Sequence, residues 1–293
     1  MTAPITLCKG PLTVELQSAL GGRITSFRWK EEDLFLPLDG AAMDLQTTPP
    51  GGCYPLVPWS NRIRDARLHR EDGSIQLMPS LGEQGHALHG HGLRHAWTHT
   101  QSDHSCTMQY AHAAGRDGWP WAYVVEQTVH LTESSMELTM HLENRSNRPM
   151  PFGLGWHPYF PCNAQTLVQF AAGQTWPSAD GQVFPNGPEP TPAKLGRQVE
   201  GPMPMKLDQG FSHWDGRFRI AWPDRGLVLD AVASSELNQL HVYTPPGKGF
   251  CCLEPVSHAV DGFNLAALGV DAAGFRVLAP GDAEAVTWSL YPQ

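Results

Sequence analysis

Apolar and polar residues alternate with a period of two through most of this chain. Leu12, Val14 and Leu16 share one face of a segment whose other face carries Thr13, Glu15 and Gln17. Successive side chains of an extended backbone point to opposite faces, so this spacing predicts a half-buried strand. The tetrad Ala19 to Gly22 then turns the chain into Arg23–Trp29. Met136, Leu138, Met140 and Leu142 alternate with Glu137, Thr139, His141 and Glu143, and the strand they predict pairs with one around Val125, Val129 and Leu131. Phe218–Trp222 and Leu227–Val232 flank Pro223-Asp224-Arg225-Gly226, a hairpin signal. Val286, Trp288 and Leu290 alternate with Thr287 and Ser289 near the end.

No stretch shows three turns of amphipathic helix, and Ser235–Leu240 predicts a helical turn at most. Short strands at regular spacing, punctuated by 29 glycines and 26 prolines, predict an all-β protein built as a large antiparallel β-sandwich. The Pro/Gly-rich stretch Trp176–Pro204 reads as a long surface loop. Strand patterns resume after it without a change in composition, so residues 1–293 read as one domain.

Composition narrows the partners. The formal charge is −9, with no basic stripe of the kind that neutralises nucleic-acid phosphates, so a small neutral ligand is expected and a nucleic acid is not. The first sixteen residues lack a basic start followed by a continuous apolar run, and no eighteen consecutive residues are apolar. Neither a signal peptide nor a membrane span is expected. The six cysteines form no CxxC pair, and adjacent Cys251 and Cys252 would face opposite sides of a strand. Reduced thiols in a cytoplasmic protein are expected.

Four segments concentrate ionisable and aromatic residues between strands. In the first, Asn61 and Arg62 follow Pro58 and Trp59. An amide beside a guanidinium offers several directed donors, suited to sugar hydroxyls or a developing oxyanion, although a surface loop with a structural arginine has the same composition. The second holds His86, His89, His91 and His95 with Gly90 and Gly92. Neither an HExxH pattern nor a nearby cysteine ligand accompanies them, so no metal is expected, and the glycines suggest close backbone approach. In the third, His157 stands between Trp156 and Pro158, with Tyr159 and Phe160 beyond. A histidine among aromatic faces can carry a proton near neutrality, or can be a satisfied core residue. The fourth places Phe250, Cys252 and Glu254 on one face of a strand that Pro255 is expected to end. A desolvated carboxylate there could act as a base or be held in a structural ion pair. Asp208, just before a further strand, has an Asx-turn as its simplest reading.

Taken in order, SNRIRD, LHGHG followed by Trp97, WHPYF, LDQGF and LEPVSH resemble the aldose 1-epimerase (galactose mutarotase) family, from about Leu12 to the C-terminus. The resemblance implies an antiparallel β-supersandwich and residue-specific roles. His157 would be the acid that protonates a sugar ring oxygen. Glu254 would be the base that takes the proton of the C1 hydroxyl, and His89 a second catalytic histidine near the ring oxygen or C1. Arg62 and Asp208 would hold sugar hydroxyls, with Asn61 beside them. Three positions depart from the family pattern: Ala87 where asparagine is common, His91 within a frequent Gly-Gly pair, and Trp156 where a smaller threonine is usual.

The implied reaction interconverts the α and β anomers of a free aldose through the open-chain aldehyde. No hydride or phosphoryl group moves, so no cofactor is expected, in keeping with the absence of a dinucleotide fingerprint or P-loop. The carboxylate and imidazolium are expected to favour each other's charged form, giving a bell-shaped pH profile with Glu254 on the acidic limb and His157 on the alkaline one. Other readings are a hexose-6-phosphate epimerase drawing on Arg64 or Arg94 for its phosphate, a glycosidase using Asp208 and Glu254, a metal-dependent isomerase built on the histidine cluster, and a carbohydrate-binding protein without catalysis.

Overall fold

The computed structural model describes residues 4–38, 45, 49–70, 73–178, 183–191 and 206–293. Antiparallel pairing runs almost without interruption through one large curled sheet. The strands at Thr98–Gln101, Ser105–His112, Tyr123–Leu131, Met136–Asn144, Ala283–Pro292 and Leu227–Ala233 pair each with the next. Leu227–Ala233 then joins the long strand Asp208–Trp222. Alternation in the sequence becomes alternation in space: Met136–Asn144 buries Met136, Leu138, Met140 and Leu142, as its period-two pattern requires.

Asp208–Trp222 belongs to two ladders. Its second half, Arg217–Trp222, pairs with Leu227–Ala233, whereas Asp208–Ser212 pairs with Gln239–Tyr243. Gln239–Tyr243 pairs with Phe250–Val256, which meets Gly155–Pro158. That strand meets Cys53–Leu56, which contacts Arg23–Trp29. Arg23–Trp29 pairs with Leu12–Gln17, and Leu12–Gln17 with Ile5–Lys9. A register shift between Phe170 and Ala172 lies opposite the point where the long strand changes partner, and the chain bends there through a left-handed His213.

The hairpin Phe218–Val232 and the pairing of Met136–Asn144 with Tyr123–Leu131 stand as the pattern predicts. Pro255 does not end its strand: Phe250–Val256 runs through it. A six-residue helix, Gly262–Ala267, follows, where alternation gave no signal. Around Ser235–Leu240 only a turn forms, Leu237 N–H donating to the Ser234 carbonyl, before Gln239 enters the next strand. The Trp176–Pro204 segment lies partly outside the described residues; within it, Glu189–Pro190 pairs with Gln174–Thr175. All six cysteines are free. Among the described residues no helix is long and apolar enough to cross a membrane.

One buried polar residue ties the core to the strand that bears His157. The Gln127 amide donates to the Gly22 carbonyl at 2.7 Å and accepts from Trp156 Nε1 at 2.7 Å. Both Gln127 and Trp156 are buried. Gln127→Leu would fill the space while orphaning both partners, each at a cost of roughly 1–3 kcal/mol. A lower midpoint in urea unfolding is expected; an unchanged midpoint would show that these bonds carry no net stability.

Candidate functional site

Three neighbouring strands bring the acid–base candidates together. Gly155 pairs with Val256, which sets His157 opposite Glu254 two residues further on. The approach is close: a Cβ on Gly155 would meet the Pro255 carbonyl oxygen at 2.5 Å. His157 Nε2 lies 3.3 Å from Glu254 Oε1, with side chains 8% and 2% exposed. Glu254 Oε2 and His157 Nδ1 have no hydrogen-bond partner. The imidazole packs against both Tyr54 and Tyr159, its ring centroid 4.7 Å from each, and the two tyrosine rings lie 6.3 Å from one another. The Arg23 guanidinium covers the outer face of Tyr54 at 4.4 Å. These ring contacts restrict the plane of the imidazole.

The segments Ser60–Arg62 and Leu88–Gly92 meet each other beside this pair. Asn61 and His89 both occupy the left-handed region, with φ of 52° and 60°. They bond reciprocally: Asn61 N–H donates to His89 Nδ1 at 3.0 Å, and His89 N–H donates to the Asn61 carbonyl at 2.9 Å. Gly90 has to be glycine, because its φ is +69° and a Cβ would lie 2.0 Å from the Val57 carbonyl oxygen. Behind the loop, His258 accepts from Ser60 N–H at 3.0 Å and donates through Nδ1 to the Ala259 carbonyl at 2.7 Å. A cavity of about 10 Å³, about the size of one water molecule, lies between Asn61, His241, Glu254 and His258.

Arg62 and Asp208 border the solvent side. Arg62 Nε donates to Glu83 at 2.8 Å, and both side chains remain 21% exposed. Asp208 is the first residue of its strand, and in place of the expected Asx-turn its Oδ1 accepts from His241 Nε2 at 2.8 Å while the side chain stays 47% exposed. The six sequence candidates, His157, Glu254, His89, Arg62, Asp208 and Asn61, are therefore linked through shared neighbours into one region. Sequence reasoning missed His241, Glu83, Tyr54 and Arg23. His241 sits in the apolar run Gln239–Tyr243, where alternation marks only a strand, and Glu83 lies in a polar loop with no distinguishing neighbour.

Electrostatics differ from the expected ion pair. Burial pushes the Glu254 carboxyl up to about 8, against the opposing charge of His241. Burial pushes His157 down to about 3, helped by His241 and Arg23. Desolvation outweighs mutual attraction, so the neutral forms rest at pH 7. Burial also drives His89 well below the ordinary histidine range, with His157 adding to it. For Asp208, burial acts upward, but the His241 hydrogen bond and charge outweigh it and the net direction is down. For His241, burial acts downward, but the Asp208 hydrogen bond and the Glu254 and Asp208 charges win and the net direction is up. Each member of that pair thus favours the charged form of the other.

The histidine-rich segment scatters. His86 lies 3.6 Å from Asp65, His91 stacks on His112 in the core, and His95 bonds Asp117 at 2.7 Å. Among the described residues, three or more His, Cys, Asp or Glu donors gather within 4.8 Å only at His157, Cys252 and Glu254, which is the acid–base pair with a buried thiol beside it. A cleft of about 810 Å³ lies elsewhere, along Arg217, Arg219, Asp230 and Tyr291. An Arg219–Asp230 ion pair lines it, and it holds no acid–base pair in contact with an imidazole.

Comparison with known proteins places this arrangement. The aldose 1-epimerase family profile matches residues 5–288. The uncharacterized protein YphB of Escherichia coli (strain K12) is 31% identical over 297 residues, covering 97% of each chain. A crystal structure from Escherichia coli K12, provisionally assigned as an aldose 1-epimerase, superposes with a TM-score of 0.87 at 28% identity, covering 99% of both chains. A galactose mutarotase-like protein from Clostridium acetobutylicum shares the fold, with a TM-score of 0.80 at 16% identity over 99% of this chain and 95% of that one. Sequence profile, relative and fold agree with the motif order, and the chain belongs to the aldose 1-epimerase family.

Proposed function

We propose that this protein is an aldose 1-epimerase that opens and recloses the ring of a free aldose, with Glu254 as base and His157 as acid. The observation that carries this reading is the 3.3 Å contact between His157 Nε2 and Glu254 Oε1, buried and flanked by unpartnered polar atoms. Ring opening removes the proton of the C1 hydroxyl and delivers one to the ring oxygen. It needs one proton on the pair and one empty acceptor, and the neutral pair meets that count with the proton resting on Glu254. Transfer across the contact puts it on His157 and frees the carboxylate. The C1–O5 bond then breaks, an aldehyde forms, and rotation about C1–C2 exposes its other face before the steps reverse. His89, Asn61, Arg62 and Asp208 supply directed groups to orient hydroxyls around C1.

A free sugar suits the site better than its 6-phosphate. Arg62 is engaged by Glu83, Arg64 by Asp261 at 3.4 Å, and Arg94 donates to the Leu88 carbonyl, so among the described residues these three form no bare cation cluster for a dianion. The glycosidase reading loses its second carboxylate, since Asp208 is held by His241. No hydride or phosphoryl transfer enters the reaction.

Polarimetry of freshly dissolved single anomers tests the reading. Glu254→Gln and His157→Asn are each expected to lose about 10²–10⁴-fold in rate with unfolding midpoints kept; sugar binding with no acceleration by the native protein would sink it. The pH profile is a second check. Once His157 is already neutral, Glu254 holds the proton that the pair shares, so activity should fall as pH rises through about 8 and persist well into mildly acidic solution. This reverses the limbs expected from ordinary side-chain values. Rates that collapse below pH 6 and climb above 8, after subtraction of the spontaneous reaction, would contradict it.

A further inference from the structure

The acid–base pair is half of a longer row. Gly210 stands opposite His241, and His241 stands opposite Glu254, in the registers of Asp208–Ser212 with Gln239–Tyr243 and of Gln239–Tyr243 with Phe250–Val256. Glu254 faces His157, and His157 stands opposite Tyr54. Side chains directly opposite in an antiparallel sheet sit about 4.5–5.5 Å apart at Cβ. Because Gly210 carries no side chain, the His241 ring can lean toward Asp208, two positions along, and bond its Oδ1 at 2.8 Å. Four adjacent strands thus present carboxylate, imidazole, carboxyl and imidazole in sequence: Asp208, His241, Glu254, His157.

We propose that His241, clamped by Asp208 as a cation, is a positioning residue that acts through Glu254, its charge supporting the carboxylate form that proton exchange with the sugar requires. Arg62 is the other cation felt by Glu254, and Glu83 holds it at 2.8 Å. His241 is placed directly across the strand pair, 5% exposed and bonded to Asp208. Asn61 Nδ2 lies 3.4 Å from the same nitrogen, but both are donors once that nitrogen gives its hydrogen to Asp208, so the amide is a neighbour and not a second anchor. The other titratable groups that face Glu254 or His241 are His157 and His89, both held neutral by burial, together with Tyr54, Tyr159, Cys53 and Cys252, whose protons burial retains. His258 borders the small cavity from the far side and is also neutral, pushed down to about 4 by burial. Removing the His241 charge therefore leaves Arg62, the smaller influence and already shared with Glu83, to oppose protonation of Glu254.

The idea rests on the epimerase reading for its kinetic consequence but not for its electrostatic one, so the test has two arms. In the first, carboxyl NMR follows Glu254 through pH 6–11 in the sugar-free protein, native and His241→Gln. The titration should move to higher pH by about one unit or more in the variant, and His241→Lys should bring it back. In the second, the alkaline limb of the mutarotation profile should move in parallel, with the neutral-pH rate reduced. An unmoved Glu254 titration in a folded His241→Gln protein would overturn the proposal, as would a kinetic loss equal at every pH. Imidazole NMR provides a further readout that survives poor folding of that variant: His241 should titrate above the ordinary histidine range and drop by a unit or more in Asp208→Asn. A native His241 that titrates below that range would overturn the clamp. If the carboxyl moves while no protein form accelerates mutarotation, the epimerase reading fails and the electrostatic link stands.

Discussion

A carboxyl and an imidazole removed from water together set the terms for everything around them. Either group alone in this position, if charged, would be severely destabilising, and their contact does not by itself restore what hydration supplied. Burial therefore neutralises both, holding Glu254 up near 8 and His157 down near 3. The neighbourhood serves that arrangement. Tyr54 and Tyr159 restrict the imidazole plane, Gly155 lets its strand close on the Glu254 strand, and the Gln127 amide secures Trp156 beside it. A polar interior held this tightly can exchange a proton without waiting for solvent to rearrange.

Much of the scaffold was legible because alternation is a direct imprint of the sheet. Met136–Asn144, its partner Tyr123–Leu131 and the hairpin around Pro223–Gly226 follow from period and turn chemistry alone. The short helix Gly262–Ala267 left no trace, since six residues are too few to show a 3.6-residue period. Pro255 misled for another reason: a proline forfeits one donor, and Phe250–Val256 tolerates that within its pairing.

The site was legible where motifs carry it and opaque where only geometry does. His157, Glu254, His89, Arg62, Asp208 and Asn61 stand in recognisable strings, whereas His241 lies in an apolar run whose partner Asp208 is 33 positions away. Protonation was the least legible property. Two groups that the family resemblance sets side by side suggest an ion pair, but their protonation is decided by how completely each is desolvated, and that depends on packing against residues as remote in sequence as Tyr54. The four histidines between His86 and His95 show the converse: closeness in sequence scattered them to Asp65, a loop hydrogen bond, the core and Asp117.

The reciprocal bond between two left-handed residues has its own chemical meaning. Because Asn61 N–H occupies the lone pair of His89 Nδ1, the hydrogen of that neutral ring must sit on Nε2. His89 is thereby locked as a donor and cannot swap tautomers without unseating the loop. Whatever atom of a guest meets Nε2 has to bring a lone pair: an ether or hydroxyl oxygen is welcome there, and an ammonium group is turned away.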